Sequence, residues 1–137
     1  MPPLSIMIKP ASSLCNMRCE YCFYHDVASA REEENLGLMS KDSVEHLIEK
    51  AFRFADGESV AFAFQGGEPL LAGLDYFKNF TTVAKRLNTK NSTVHYGLQT
   101  NGSLVDESWA EFFKAENFLI GLSLDGDQKA NKFRVDT

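Results

Sequence analysis

Leu4, Ile6 and Ile8 recur at every second position and predict a short strand, which Pro10 ends. Past residue 40 the apolar period lengthens. Val44, Leu47, Ile48, Ala51, Phe52 and Ala55 fall at helical spacing and form one stripe, with Ser40 placed to cap the amino end and Gly57 to stop the helix. Val60-Ala-Phe-Ala-Phe64 is an unbroken apolar run, the pattern of a strand buried on both faces. The same alternation then returns. Leu74, Phe77, Thr81, Ala84 and Leu87 predict a helix, and Val94, Tyr96 and Leu98 a strand. Asp106 can cap a further helix carrying Trp109, Phe112 and Phe113, and Phe118-Leu-Ile-Gly-Leu122 reads as a fourth strand. Residues 10–39 keep no sustained period and read as loop or irregular helix. Strand and helix alternating at roughly thirty-residue intervals imply βαβ units, hence an α/β fold with a parallel sheet.

Composition narrows the class of function. The 137 residues carry 14 Lys and Arg against 19 Asp and Glu, a net charge of −5, with 44% hydrophobic and 24% charged residues. That balance describes one globular core and excludes disordered, collagenous and coiled-coil chains. The acidic total argues against nucleic acid as a partner, since a phosphate backbone asks for a basic face. The 11 Phe could suggest a base-stacking platform, but most fall at core positions of the predicted helices and strands. Arg31-Glu-Glu-Glu34 reads as a solvated face. No run is long and apolar enough to span a membrane, and Met1 to Lys9 lack the basic start and long apolar stretch of a signal peptide, so a cytoplasmic chain with no membrane partner is expected.

The cysteines carry the chemistry. All three, Cys15, Cys19 and Cys22, lie within eight residues. An odd number packed this tightly is no disulfide framework, and the polar neighbours Asn16, Arg18 and Glu20 speak against three buried hydrophobes. Cys-x3-Cys-x2-Cys following a strand can ligate three irons of a 4Fe–4S cubane and leave the fourth iron without a protein ligand. The amino and carboxylate groups of S-adenosylmethionine (AdoMet) can chelate that open iron. One electron passed to the sulfonium would break a carbon–sulfur bond and give a 5′-deoxyadenosyl radical able to take hydrogen from unactivated carbon. Gln65-Gly-Gly-Glu-Pro69 follows the second strand directly, at the carboxyl end where parallel sheets place their sites. Its glycines permit close backbone approach to a ligand, and its carboxylate suits an ammonium group.

These segments resemble those of radical AdoMet enzymes, and within them the anaerobic sulfatase-maturating enzymes. The resemblance lies in Ile8-Lys-Pro-Ala-Ser-Ser13, Cys15-Asn-Met-Arg-Cys19-Glu-Tyr-Cys22-Phe-Tyr-His25 and Phe62-Ala-Phe-Gln-Gly-Gly-Glu-Pro69. It continues through Leu98-Gln-Thr-Asn-Gly102, Asp106-Glu-Ser-Trp109 and Gly121-Leu-Ser-Leu-Asp-Gly126. It implies an oxidoreductase that converts a sulfatase Cys or Ser to formylglycine, served by an electron donor such as a ferredoxin or flavodoxin. By matching positions, Cys15, Cys19 and Cys22 would hold the cluster, and Tyr21 and Phe23 would border the adenine. Gly66, Gly67 and Glu68 would hold the methionyl amine, Ser123 would face the ribose, and Tyr24 and Gln65 would lie near the substrate.

The chain departs from the family pattern in two places. Where Asp-Gly-Pro with a later His and Arg is usual, it reads Asp125-Gly-Asp-Gln-Lys-Ala-Asn-Lys-Phe-Arg134. It also holds only four of the strands of a (β/α)6 partial barrel, which at about thirty residues per unit needs about 180 residues. The fold class expected is therefore α/β, with parallel βα repeats forming the first part of an incomplete (β/α)6 radical AdoMet partial barrel. Residues 1–137 are read as a truncated core domain without the auxiliary-cluster region, inactive on its own toward sulfatase. Another peptide-modifying radical enzyme, of the thioether-forming type, fits the same segments. So does a Cys3His zinc module using His25, although structural zinc sites usually draw ligand pairs from separate segments. A further reading is a non-catalytic chain that folds only against a partner supplying the missing strands.

Overall fold

The computed structural model describes residues 2–135. Its elements follow the chain as β1 (Leu4–Ile8), α1 (Phe23–Ser29), α2 (Lys41–Ala55), β2 (Val60–Phe64), α3 (Leu74–Leu87), β3 (Val94–Thr100), α4 (Glu107–Ala115) and β4 (Phe118–Leu122). The capping residues read from the sequence act at the helix starts. Ser40 Oγ accepts from the Ser43 N–H at 3.1 Å, and Asp106 Oδ1 accepts from the Trp109 N–H at 3.0 Å. At the far end of α2 the stop comes one residue earlier than Gly57, at Asp56 in the left-handed region (φ 51°).

All four strands are parallel in the order β1-β2-β3-β4, with Ile8, Phe64, Leu98 and Ile120 in one row across the sheet. The helices cover one face. Phe62 and Phe64 from β2 meet Phe77 and Phe80 from α3 edge to face, and Phe118 stacks on Tyr96 with ring centres 4.9 Å apart. The strand expected to be buried on both faces is buried on one. Val60, Phe62 and Phe64 are fully enclosed, while Ala61 and Ala63 point to a face on which the neighbouring row contains Met7, 60% exposed, and Leu119, 79% exposed. The apolar run is continuous because alanine is small, not because both sides are covered. Among the described residues no helix is long and apolar enough to cross a membrane.

Candidate cluster and cofactor site

Parallel strands end at one rim, and there the loops that follow them meet. The loop leaving β1 turns twice, with the Ser12 N–H donating to the Lys9 carbonyl at 3.2 Å and the Leu14 N–H to the Ala11 carbonyl at 3.0 Å. One side of it is braced by the segment ahead of α2, where the Met39 N–H donates to the Pro10 carbonyl at 2.8 Å and the Leu36 N–H to Ser12 Oγ at 3.1 Å. The other side rests on the loop after β2. Here the Gly67 N–H donates to the Ser12 carbonyl at 3.2 Å and the Glu68 N–H to the Leu14 carbonyl at 2.7 Å.

The glycines are needed for this docking. A Cβ on Gly67 would overlap the Leu14 carbonyl, and one on Gly66, whose φ is 119°, would stand 2.8 Å from the Ser12 carbonyl oxygen. The group that approaches these glycines so closely is the backbone of the cysteine loop. Glu68 is likewise turned into the protein and is 1% exposed. Its Oε1 accepts from the Leu70 N–H at 3.1 Å and from Thr100 Oγ1 at 2.8 Å, and its Oε2 from the Asn101 N–H at 2.8 Å. Three of about four acceptor sites on the carboxylate are used in tying the loops after β2 and β3 together. Asn101 Nδ2 in turn donates to Asn16 Oδ1 at 2.9 Å, and Asn16 Nδ2 to Ser103 Oγ at 2.8 Å, so the residue next to Cys15 is held from the loop after β3.

All three cysteines are free thiols and line one cavity of about 330 Å³, within the range of small-molecule sites. Tyr21, Phe23, Tyr24, Gln65, Gly66, Gly67, Glu68 and Ser123 line it too, so every site residue named from the sequence is in one place. Tyr24 donates its hydroxyl to Gln65 Oε1 at 3.0 Å, and Lys9 Nζ lies 4.5 Å from the centre of the Tyr24 ring. Gln99 Nε2 donates to Ser123 Oγ at 2.8 Å. Cys15 is exposed by surface area, yet partial burial of its sulfur raises the thiol. The Met17 N–H, 3.4 Å from Sγ, opposes that rise, and Glu68 and the other two cysteines add to it.

Sequence reasoning gave no role to Met17, Gln99, Thr100, Asn101 and Arg134, which also line the cavity. The stretch Leu98-Gln-Thr-Asn-Gly102 was the signal for three of them. Arg134 ends the segment that departs from the family pattern, where an Arg is usual but the proline and histidine are missing. Its Nη2 donates to Asp125 Oδ1 at 3.1 Å, and its Nε stands 2.8 Å from Oδ2 without the alignment of a hydrogen bond. Tyr21 donates its hydroxyl to Asp125 Oδ2. This bond raises the tyrosine hydroxyl. The tyrosine donation first, and then Arg134, hold the Asp125 carboxyl below the usual carboxylate range.

The donor set fits an iron–sulfur cubane better than zinc. Among the described residues no three His, Cys, Asp or Glu gather as ligands of a single metal ion, whereas a cubane takes its three thiolates at three separate irons. His25, the fourth ligand a zinc site would need, has its Nε2 2.6 Å from Arg18 Nη1. A second, larger depression of about 740 Å³ lies between β1 and α2, and among the described residues His46 and Lys50 are its titratable lining residues.

Comparison with known proteins identifies the family. The family model described as the radical SAM superfamily matches residues 10–135. A cysteine-type anaerobic sulfatase-maturating enzyme of Clostridium novyi (strain NT) is 47% identical over 137 residues, covering 99% of this chain and 36% of the relative. A serine-type anaerobic sulfatase-maturating enzyme of Bacteroides thetaiotaomicron is 35% identical over 127 residues, covering 93% of this chain and 30% of the relative. A solved structure of native anSMEcpe with bound AdoMet and the Kp18Cys peptide superposes with a TM-score of 0.90 at 46% identity, over 98% of this chain and 36% of that one. The chain thus spans about a third of the length of the relatives it matches.

Proposed function

The chain belongs to the radical SAM superfamily, and we propose that residues 1–137 form the first part of the core domain of an anaerobic sulfatase-maturating enzyme. In this reading the enzyme oxidises a Cys or Ser of a sulfatase polypeptide to formylglycine. The cysteine-type substrate is favoured, because identity to the cysteine-type relative is 47% against 35% for the serine-type one. A single observation carries the proposal. Three free thiols spaced Cys-x3-Cys-x2-Cys line a cavity whose other walls come from the loops after three parallel strands.

Cys15, Cys19 and Cys22 would hold a 4Fe–4S cluster, which when bound supplies the electron that cleaves the carbon–sulfur bond of AdoMet. The remaining residues bind and orient. The loop of Gly66, Gly67 and Glu68 carries the cysteine loop on its backbone and leaves about one acceptor site of Glu68 for the methionyl ammonium. Tyr21 and Phe23, 52% and 64% exposed, offer ring faces for the adenine. Ser123, its hydroxyl held by Gln99, is placed for the ribose, and the Tyr24–Gln65 pair would meet the sulfatase peptide. A low-potential donor of the ferredoxin or flavodoxin class would supply electrons. Three free thiols suit a reducing compartment such as the cytoplasm.

A thioether-forming relative would share this half of the site, and the choice rests on the identity to the maturating enzymes. The test is anaerobic reconstitution followed by metal and sulfide analysis. Iron and labile sulfide, each about four per chain, and AdoMet-dependent 5′-deoxyadenosine are expected, and Cys19→Ala should lose all of them. One zinc per chain and no sulfide would overturn the proposal.

A further inference from the structure

The segment after β4 folds over the cysteine loop. Its own turn is built from the residues that depart from the family pattern. Asp127, standing where proline is usual, accepts from the Ala130 N–H at 2.9 Å and starts the short 3-10 turn Ala130–Phe133, and Asn131 Oδ1 accepts from the Asp125 N–H at 3.2 Å. The chain then runs antiparallel to the loop. The Arg18 N–H donates to the Val135 carbonyl at 2.7 Å and the Glu20 N–H to the Phe133 carbonyl at 3.0 Å. Between these rungs Arg134 turns inward, with its guanidinium carbon 5.5 Å from the centre of the Tyr21 ring, and both Arg134 and Tyr21 bind Asp125.

Tyr21 lies between Cys19 and Cys22, and the described bonds from this segment fall at Arg18, Glu20 and Tyr21. Cys15 is fixed from the opposite side, through Glu68 on the Leu14 carbonyl and Asn101 on Asn16. The described bonds therefore hold the cysteine loop at two places.

We propose that Asp125 and Arg134 are positioning residues of the radical AdoMet site: the strap from Leu124 to Val135 grips Tyr21 and thereby sets the Cys19 and Cys22 thiols, while Cys15 is set by the loops after β2 and β3. The proposal rests on the reading of the three cysteines as cluster ligands, and it is testable apart from that reading in the metal-free protein.

The experiment is a timed alkylation of the reduced, metal-free chain with iodoacetamide at one fixed pH. Trypsin then cuts after Arg18 and separates Cys15 from Cys19 and Cys22 for mass analysis. In Asp125→Asn, Arg134→Gln and Tyr21→Phe the alkylation of Cys19 and Cys22 should quicken about tenfold, the effect of losing one charge-assisted hydrogen bond, with Cys15 unchanged. Arg134→Lys, which keeps a cation beside Asp125, should restore most of the protection. In the reconstituted protein, Arg134→Gln should broaden the paramagnetic resonance signal recorded with AdoMet, whereas Lys90→Gln, at a surface ion pair away from the cavity, should not. Rates at Cys19 and Cys22 equal to those of the parent would overturn the proposal. An equal rise at all three cysteines, with a lowered melting temperature, would also overturn it by showing general loosening. Tyr21→Phe removes one hydroxyl from a half-exposed side chain, so it reports even if the Arg134 variants fold poorly. A parent chain that binds no iron would count against the cluster reading, while the alkylation pattern would still decide on the strap.

Discussion

Single residues at the rim show how far residue type alone can be read. Two glycines in Gln65-Gly-Gly-Glu-Pro69 announce a close approach, but the partner depends on where residues 12 to 14 lie, and that is a tertiary fact. Gly67→Ala is expected to push the Leu14 carbonyl away, destabilise the protein by about 1–3 kcal/mol and lower iron uptake on reconstitution. Gly97→Ala, where an added Cβ meets nothing within 4 Å, should change stability by no more than about 0.5 kcal/mol. Urea unfolding of the two variants beside the parent checks both. Glu68 behaves in the same way. Its type suggested an ammonium partner, and its burial and three protein donors make it a fastener between two loops. Glu68→Gln sets an amide N–H₂ against a donor and should cost about 1–3 kcal/mol, seen in the same unfolding series. The eleven residues named from the sequence line one cavity, and they could be picked out because they cluster in short motifs. Arg134 could not, because its partner Tyr21 is more than a hundred positions away and no periodic pattern links them.

At the scale of elements, legibility follows the size of the buried face. Helices α2, α3 and α4 each bury several apolar residues in a stripe and could be read within a residue or two. Helix α1 buries only Ala28, and the 3-10 turn Pro69–Ala72 is a single turn, so neither leaves a period in the sequence. The caps were legible for a different reason, since Ser and Asp ahead of an apolar stripe act locally. Ser40→Ala should lower stability by about 1 kcal/mol, read as a shift of the urea midpoint with unchanged slope. The far end of α2 carries an acid-sensitive contact. Asp56 binds Lys90 from the turn before β3, and this hydrogen-bonded ion pair holds the Asp56 carboxyl below the usual range. A carboxyl with a lower pKa in the folded chain contributes fully above about pH 4 and loses that contribution as the pH falls through its folded value. Melting temperature should therefore decline less steeply below pH 4 in Asp56→Asn than in the parent, and the difference should be small because both partners are largely exposed.

The whole molecule presents a sheet covered on one face. Met7 and Leu119 stand on the uncovered face, beneath the rim that carries the cysteines. Among the described residues this face stays uncovered, so a polypeptide of these 137 residues is expected to leave a bound peptide without an opposing wall. Supplied with dithionite, AdoMet and a sulfatase-derived peptide, it should release 5′-deoxyadenosine slowly and leave the peptide mass unchanged. Formylglycine in amounts matching the protein would show that the open face suffices. The cysteine loop is held by bonds from the loops after β2, β3 and β4. Electron paramagnetic resonance of the anaerobically reconstituted, dithionite-reduced chain, recorded with and without AdoMet, tests most directly whether this loop holds the cluster. A reduced 4Fe–4S signal that changes shape when AdoMet is added is the predicted result, because the open iron then gains its ligand. A signal indifferent to AdoMet, or no iron signal at all, would contradict the reading of Cys15, Cys19 and Cys22 as the three protein ligands of a radical AdoMet cluster.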